Sequence, residues 1–431
     1  MGVCVVQVAL DGSLGSIPDL TRWGEFHNGC AAGLGLRAES GGLSRTWIGF
    51  NRSAKTSKEA HAGLLLALGL QGQLAILAPT DIYSYLAGEV GIEEVTTVAV
   101  VVGMAAAKRG SCDPSLSKML HLHLPSRHPS SFPPLDLPSL VQAASLLSLG
   151  LLYQSTQHRL TTEMLLREMD GESESYALAA GLALGLVTLG CGGTAFGLTD
   201  LNIEQRLHRL FSSAPHLGEK KGELGLNVSV TAPGSLMALA LMYLKTNDAS
   251  AAALISLPHT QYALDLIRPD FLLLRTLARG LILWDSVEAT QEWVDAQMPH
   301  IVREGGGGEK SAYFHLLAGA CMVLGLRFAG TAHAAAHSLL ERHLLFFLKE
   351  KRSASLAGAG LRSSLEMCVG TCCLALSLVM AGSGHLPTLR LLRSLLQRTD
   401  PHLSYGHHMA LSLALGLLFL GGGYGQREPQ L

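Results

Sequence analysis

The hydrophobic pattern of the chain is clearest in residues 175–190, which contain no charged side chain. Leu178, Leu182 and Leu189 recur there at the period of an α-helix, and alanine, glycine and leucine fill the other faces. A helix that is apolar on every side must be buried on every side. Glycine destabilises a helix interior, so close packing against neighbouring helices must offset that cost.

The same arrangement, a small residue followed six positions later by Gly-Leu, recurs along the chain at spacings of 34 to 55 residues. The clear copies are centred on Gly35, Gly69, Gly150, Gly185, Gly325 and Gly416, and weaker ones on Gly103, Ala240, Gly280 and Ser377. A period of this size is typical of a solenoid or a closed ring. We predict that the structural core of the repeats contains Gly29, Gly35, Gly63, Gly69, Gly103, Gly150, Gly181, Gly185, Gly319, Gly325 and Gly416.

Between these apolar segments we expect a second, amphipathic helix in each repeat, with its charged face on the outside of the stack. Asp113-Pro114 predicts an N-cap followed by a proline in the first turn. Thr161-Thr162-Glu163 and Pro387-Thr388 predict two further helix starts, and Thr331 precedes a helix that we expect to reach about Lys349.

The chain is predicted to be all-α, with about ten helix-pair repeats over residues 23–423. Residues 1–22 are predicted to be a lead-in that remains from a preceding domain, and residues 424–431 a tail. Short strands are expected at Val3–Leu10 and Leu226–Val230. The proline-rich residues 125–138 and the glycine run Gly305–Gly308 are expected to be loops.

Composition narrows the possible functions. Hydrophobic residues make up 48% of the 431 residues and the net charge is −2, so the basic surface of a nucleic-acid-binding protein is missing. Of the eight cysteines, Cys30, Cys321, Cys372 and Cys373 lie inside apolar helical segments. This pattern is typical of buried, reduced thiols in a cytosolic or nuclear protein. The N-terminus has no basic segment, so we expect no signal peptide.

Groups that resemble catalytic or metal sites are better explained by packing. His333 and His337 have the spacing of a zinc pair, but Ala334 stands where a metalloprotease has glutamate. Glu309 replaces the glycine that a phosphate-binding loop has before its lysine, Lys310. Buried or stacked side chains are also expected for Cys368, Cys372, Cys373, His407, His408, His121 and His123. The sequence therefore predicts no catalytic residue, no cofactor and no metal.

Several longer strings resemble the proteasome/cyclosome repeat family. They are closest to its cyclosome branch, subunit 1 of the anaphase-promoting complex, rather than to the two large proteasome subunits. The strings span roughly residues 20–423 and lie at residues 25–29, 175–185, 233–247, 271–279, 326–330, 379–384, 407–410 and 417–423.

The resemblance implies an α-α superhelical toroid that acts as a non-catalytic scaffold in a multi-subunit cullin-RING ubiquitin ligase. Such a ligase controls mitotic progression and exit. The implied partners are the cullin-like, receptor-like and TPR subunits of that complex, with no nucleic acid and no membrane. The implied location is the nucleus and the cytoplasm.

Three alternatives stay open from the sequence. Ser175–Thr199 is an uncharged run of 25 residues, long enough for a polytopic membrane protein. Most other apolar segments are shorter, and amphipathic segments alternate with them. The related proteasome regulatory-particle scaffold is a second alternative. A toroidal enzyme of the glycosidase type would need a pair of inward carboxylates, which the apolar segments almost entirely lack.

Overall fold

The structure is a computed structural model of the chain. It describes residues 19–36, 43–51, 57–86, 94–128, 137–171, 173–194, 197–212, 227–304, 310–353, 359–398, 403 and 405–421. These residues form helices and turns, and none of them lies in a β-strand. The described α-helices are numbered α1 to α21 in chain order.

Ten of the helices carry the apolar repeat pattern and are called the core helices. Each contains one of the ten repeat positions or is followed directly by it, which confirms the all-α prediction. They are α1 (Asp19–Leu34), α3 (Lys58–Leu70), α5 (Glu94–Ala107), α7 (Ser139–Leu152), α9 (Glu174–Val187), α11 (Val228–Met242), α14 (Pro269–Ile282), α17 (Lys310–Arg327), α19 (Ala359–Val379) and α21 (Tyr405–Leu418).

Amphipathic helices alternate with the core helices and are called the flanking helices. In α10, for example, Ile203, Leu207 and Phe211 are buried, while Gln205 and Arg209 are exposed. The flanking helices are α2 (Arg45–Phe50), α4 (Pro79–Leu86), α6 (Pro114–His121), α8 (Arg159–Glu168), α10 (Ile203–Phe211), α12 (Ala249–Leu254), α13 (Gln261–Asp265), α15 (Gln291–Ala296), α16 (His300–Glu304), α18 (Ala334–Ser353) and α20 (Leu386–Leu396).

The expected N-cap at Asp113 is present, because its carboxylate accepts the backbone N–H of Leu116 at 2.9 Å. The predicted start of α8 was wrong. His158 caps that helix by accepting the backbone N–H of Thr161, and Thr161 and Thr162 lie inside the first turn. An imidazole nitrogen can accept the same hydrogen bond that a serine or aspartate oxygen accepts, and the usual capping residues do not include histidine.

The chain divides into two compact units. The first contains residues 1–203 and 224–238, and the second contains residues 204–223 and 239–431. In the first unit α1, α3, α5, α7 and α9 pack each against the next, and α9 packs against the first part of α11. In the second unit α14, α17, α19 and α21 pack in the same consecutive order.

Two boundary predictions can be compared with the structure. The strand expected at Leu226–Val230 was wrong, because Val228 begins α11 and its apolar run continues as helix to Met242. The first repeat helix, predicted to begin near Glu25, begins at Asp19. The expected strand at Val3–Leu10, the glycine run Gly305–Gly308 and the tail at 424–431 lie outside the described residues.

The predicted membrane-length segment Ser175–Thr199 is not one helix. α9 ends at Val187 after 14 residues, whereas about 20 are needed to cross a bilayer. By length and composition alone, one described helix could cross a membrane, over Gly360–Val379. Within its apolar stretch, 61% is buried inside the protein, because α17, α18 and α21 pack against this helix.

Candidate functional site

Glycines of the first unit lie where the backbones of two core helices meet. A Cβ atom added at Gly69 would lie 2.6 Å from Cα of Gly103, and one added at Gly103 would lie 3.0 Å from Cα of Gly69. A Cβ atom at Gly150 would lie 2.7 Å from Cβ of Ala183. At these points only a hydrogen atom fits between α3 and α5 and between α7 and α9.

Three further predicted glycines of the first unit make equally close approaches. A Cβ atom at Gly29 on α1 would overlap the carbonyl of Ala60 on α3, and one at Gly63 would overlap the backbone of α1. Gly181 on α9 stands in the same relation to the backbone of Gly234 on α11. Core-helix pairs of the first unit therefore interlock through small residues on both partners.

The second unit repeats this arrangement. A Cβ atom at Gly319 on α17 would lie 2.8 Å from the carbonyl oxygen of Leu273 on α14. A Cβ atom at Gly325 would lie 2.5 Å from Cα and 2.7 Å from Cβ of Ala375 on α19. α17 is therefore held closely on both sides by glycine contacts.

Two of the predicted glycines do not lie at a helix contact. Gly35 is exposed in the turn after α1, where an added Cβ would meet only carbonyls of its own helix. Gly33 makes the contact instead, with an added Cβ 2.5 Å from Cβ of Ala67. Gly416 is exposed with nothing within 4 Å of its added Cβ, because no described core helix follows α21. Gly185 is buried within α9.

A recurring turn, which the sequence reading missed, joins successive repeats. It consists of three residues, of which the first and third have positive φ. Their N–H groups donate to the carbonyls of the last two residues of the next core helix, at 2.8 to 3.2 Å. We call it the linking turn, and its copies are Gly110–Cys112, Ser155–Gln157, Lys245–Asn247, Gly330–Ala332 and Gly382–Gly384.

The middle residue of every linking turn is serine or threonine, and its hydroxyl donates to the carbonyl three residues earlier. In the copy at 330–332 the hydroxyl of Thr331 bonds the carbonyl of Phe328 at 2.7 Å. The turn therefore satisfies the end of its own helix and two of the unpaired carbonyls at the end of the next one. The sequence pattern that could have predicted linking turns is a glycine followed by serine or threonine, as in Gly110-Ser111, Gly330-Thr331 and Gly382-Ser383.

Two arginines on α14, the buried Arg275 and the half-buried Arg279, donate hydrogen bonds to backbone carbonyls of the flanking segments. The guanidinium of Arg275 donates to the carbonyls of Ser256, at 2.6 Å, and Phe211, at 3.1 Å. Arg279 donates to the carbonyls of Ala252 and Ile255 at 3.1 and 3.2 Å. Burial lowers the pKa of both side chains, so their hydrogen bonds to carbonyls must offset the cost of burying charge.

The histidines and cysteines that resembled a metal site are engaged in packing. His333 stacks on Phe328 and accepts the backbone N–H of Ala336, while His337 bonds Thr388 at 3.0 Å. The thiol of Cys372 donates to the carbonyl of Leu340, and burial raises the pKa values of Cys368 and Cys373. In the described part of the chain no three potential ligands cluster around one point.

One buried carboxylate in the second unit gathers three basic side chains. Glu366 on α19 pairs with Lys351, with Arg398 at 2.9 Å and with His407 at 3.3 Å. Burial and the nearby Arg398 lower the pKa of His407 to about 4, so its ring is neutral and Lys351 and Arg398 neutralise the carboxylate. The cluster joins the ends of α18 and α20 to the start of α21.

Comparison with known proteins adds a family to this geometry. A family model described as the APC1 fourth domain matches residues 5–109, and one described as the APC1 fifth domain matches residues 114–426. Together they cover nearly the whole repeat array.

Curated relatives agree with the family models. Anaphase-promoting complex subunit 1 of Arabidopsis thaliana and of Homo sapiens are each 39% identical over 96% of this chain, which covers 27% and 23% of their lengths. The negative regulator of mitosis of Emericella nidulans is 36% identical over 93% of this chain and 20% of its own length. The chain thus spans about a quarter of the length of the first two relatives.

Proposed function

The chain belongs to the anaphase-promoting complex subunit 1 family, and from this premise we propose that it is a non-catalytic scaffold of that complex. The complex is a multi-subunit cullin-RING ubiquitin ligase that controls mitotic progression and exit. The observation that carries the proposal is the match of both domain models to one repeat array. Since both models describe subunit 1 domains, the related proteasome scaffold is not favoured.

The use of the buried polar groups supports a structural role. The α14 arginines and the linking turns donate hydrogen bonds to backbone carbonyls, the Glu366 cluster pairs side chains of neighbouring helices, and the histidines and thiols that resembled sites pack against neighbours. A catalytic site needs polar groups that are left available for a substrate. The polar groups described above hold repeats together instead.

The proposed partners are the cullin-like, receptor-like and TPR subunits of the complex, with no nucleic acid and no membrane. They would bind the flanking helices and the loops, because insertions in repeat proteins commonly form the binding face. The proposed location is the nucleus and the cytoplasm. The seven described cysteines are free thiols, which fits a reducing compartment.

Affinity purification of the tagged chain from dividing host cells, followed by mass spectrometry, tests this function. We expect the cullin-like and TPR subunits to be recovered with the wild-type chain and with Gly24→Ala, since nothing lies within 4 Å of that position. Gly325→Leu, which breaks the contact of α17 with α19, should lose them. Recovery of proteasome subunits, or of no ligase subunit, would contradict the proposal.

The non-catalytic part of the proposal has its own test. The purified chain should show no ubiquitin transfer when supplied with ubiquitin, activating enzyme and conjugating enzyme, and no glycoside hydrolysis. A turnover that scales with the concentration of the chain and survives repurification would show that it is an enzyme.

A further inference from the structure

A cavity of about 450 Å³ opens on the surface of the first unit, beside the flanking helices α6 and α8. It lies between the end of α6, the short turn Pro125–Arg127 that follows it, Tyr153 after α7, and residues 158–167 of α8 and its cap. No residue of the cavity belongs to the glycine contacts or to the linking turns. Its main lining residues are His121, Arg127, Tyr153, His158, Leu160 and Arg167.

The wall of the cavity is fixed by aromatic and hydrogen-bond contacts. The rings of Tyr153 and His158 stack with centroids 4.7 Å apart. The Tyr153 hydroxyl donates to the hydroxyl of Ser117 at 3.0 Å. His158 accepts the N–H of Thr161 at Nδ1, which places the proton of the neutral ring on Nε2. These contacts hold Tyr153 and His158 in place at the wall of the cavity.

The turn that carries Arg127 is also held in place. Ser126 donates to Glu168 at 2.8 Å, and the Tyr176 hydroxyl donates to the other oxygen of the same carboxylate at 2.6 Å. Burial and Glu168 raise the pKa of Tyr176, so this hydroxyl stays protonated. The backbone of Arg127 is thus anchored to the end of α8 and the start of α9.

The arginine and glutamate side chains that line the cavity are Arg127, Glu163 and Arg167, which leave one positive charge in excess. Glu163 and Arg167, one turn apart on α8, form an ion pair at 2.6 Å and offset each other. Arg127 is exposed and makes no side-chain hydrogen bond or ion pair with any residue in the described ranges. One positive charge is left for a ligand. Beside it, Leu160 is 71% exposed and offers an apolar contact.

We propose that this cavity binds a peptide segment of a partner protein, with an anionic side chain on Arg127 and an adjacent apolar side chain on Leu160. A guanidinium binds carboxylate or phosphate oxygens with charge-assisted hydrogen bonds, so both kinds of anionic side chain share the required chemistry. The choice of a protein ligand rests on the proposed scaffold function.

Selection from a library of random displayed peptides by the purified chain tests the site. The wild-type chain should enrich peptides in which an acidic residue stands next to an apolar one. Arg127→Gln should abolish that enrichment, and Arg127→Glu should replace acidic with basic residues. Arg109→Gln, an exposed arginine in the turn after α5, is the matched control and should select as the wild type does.

Synthetic versions of a selected peptide then identify the anion. In fluorescence anisotropy, replacing its glutamate by glutamine, or using Arg127→Gln, should weaken binding by about tenfold or more. A phosphoserine version that binds more tightly indicates a phosphorylated partner, and one that binds more weakly indicates a carboxylate. Salt should weaken binding in either case.

Selection of the same peptides by Arg127→Gln and by the wild type, with equal melting temperatures, would overturn the site. That result is distinct from failure of the scaffold proposal, which co-purification of ligase subunits measures. If the chain recovers no ligase subunits but selects acidic peptides through Arg127, the peptide-binding site is supported and the scaffold function is contradicted.

Discussion

Single glycines set how closely the core helices approach each other. At Gly325 the obstacles to a Cβ atom are Cα and Cβ of Ala375, which cannot rotate away as the end of a long side chain could. The same holds at Gly69, which faces the backbone of Gly103. The cost of glycine in a helix is therefore offset by backbone packing that no larger residue allows.

Gly325→Ala should lower the free energy of unfolding by about 1–3 kcal/mol, because α17 and α19 must move apart to admit one methyl group. Gly24→Ala is the matched control. It lies in α1 with nothing within 4 Å of its added Cβ, and should raise stability by about 0.5–1 kcal/mol. Circular dichroism during denaturant unfolding measures both. Equal stability of the two variants would show that α17 and α19 do not touch at Gly325.

His343 on α18 should make stability fall in mild acid. Burial, helped by Arg342 and opposed by Asp295, lowers its pKa from 6.5 to about 4. The unfolded chain therefore binds more protons between these values, and stability falls as the pH drops from about 6.5 to about 4. Above pH 6.5 His343 is neutral in both the folded and the unfolded chain, so it causes no loss of stability there.

His343→Leu should reduce this slope, since leucine does not titrate. Thermal melts of the variant and of the wild type across the same pH range measure the difference. The comparison at about pH 7.5, where the histidine is neutral in both states, serves as the control. A variant whose melting temperature falls as steeply as that of the wild type would assign the acid sensitivity to other groups.

At the level of helices and turns, the apolar period was enough to place the ten core helices. The flanking helices α6, α18 and α20 were also predicted, and so was α8, although α8 is capped by His158 and begins at Arg159 rather than after the threonines. The linking turns could not be predicted in the same way. At their first and third positions Ser155, Lys245 and Ala332 are not glycine, and what holds their left-handed backbone is a pair of hydrogen bonds to a helix more than thirty residues away.

The glycine contacts between core helices could be predicted from the sequence only in part. A small residue in an apolar helix indicates close packing, but the sequence does not say which of two nearby glycines faces the neighbour. Gly33 and not Gly35 does so in α1, because the helix ends at Leu34. The basic cavity beside α8 left no pattern in the sequence, since its lining residues come from three separate segments.

Ala332→Gly in the linking turn after α17 should stabilise the protein. Ala332 has φ of 51°, a left-handed conformation that costs a residue with a Cβ about 1–2 kcal/mol. Glycine removes that strain but has more entropy to lose, so we expect a net gain of up to about 1 kcal/mol. The N–H that donates to Val379 is kept.

Ala335→Gly, three residues further on, is the matched control for this substitution. Ala335 is exposed in the first turn of α18, where glycine should cost up to about 1 kcal/mol. Denaturant unfolding of the two variants should therefore give changes of opposite sign. A loss of stability in Ala332→Gly would mean that the turn relies on the alanine side chain.

For the whole molecule, the boundary between the two compact units falls between Ile203 and Leu239. Repeat proteins are held together mainly by contacts between neighbouring units, so a defect is felt locally first. Closure of the ten repeats into a ring, which the family resemblance implies, stays a prediction. A closed ring would couple the two units through both of their ends and make unfolding more cooperative.

Hydrogen exchange measured by mass spectrometry distinguishes local opening of one unit from cooperative unfolding of both units. Gly325→Ala should speed amide exchange in α14, α17, α19 and α21 and leave α3, α5 and α7 protected, because its contact lies wholly in the second unit. Gly150→Ala, whose contact with Ala183 lies in the first unit, is the matched control and should give the reverse pattern. If either variant speeds exchange in every core helix to the same extent, the units do not open separately and the repeats unfold together as one cooperative array.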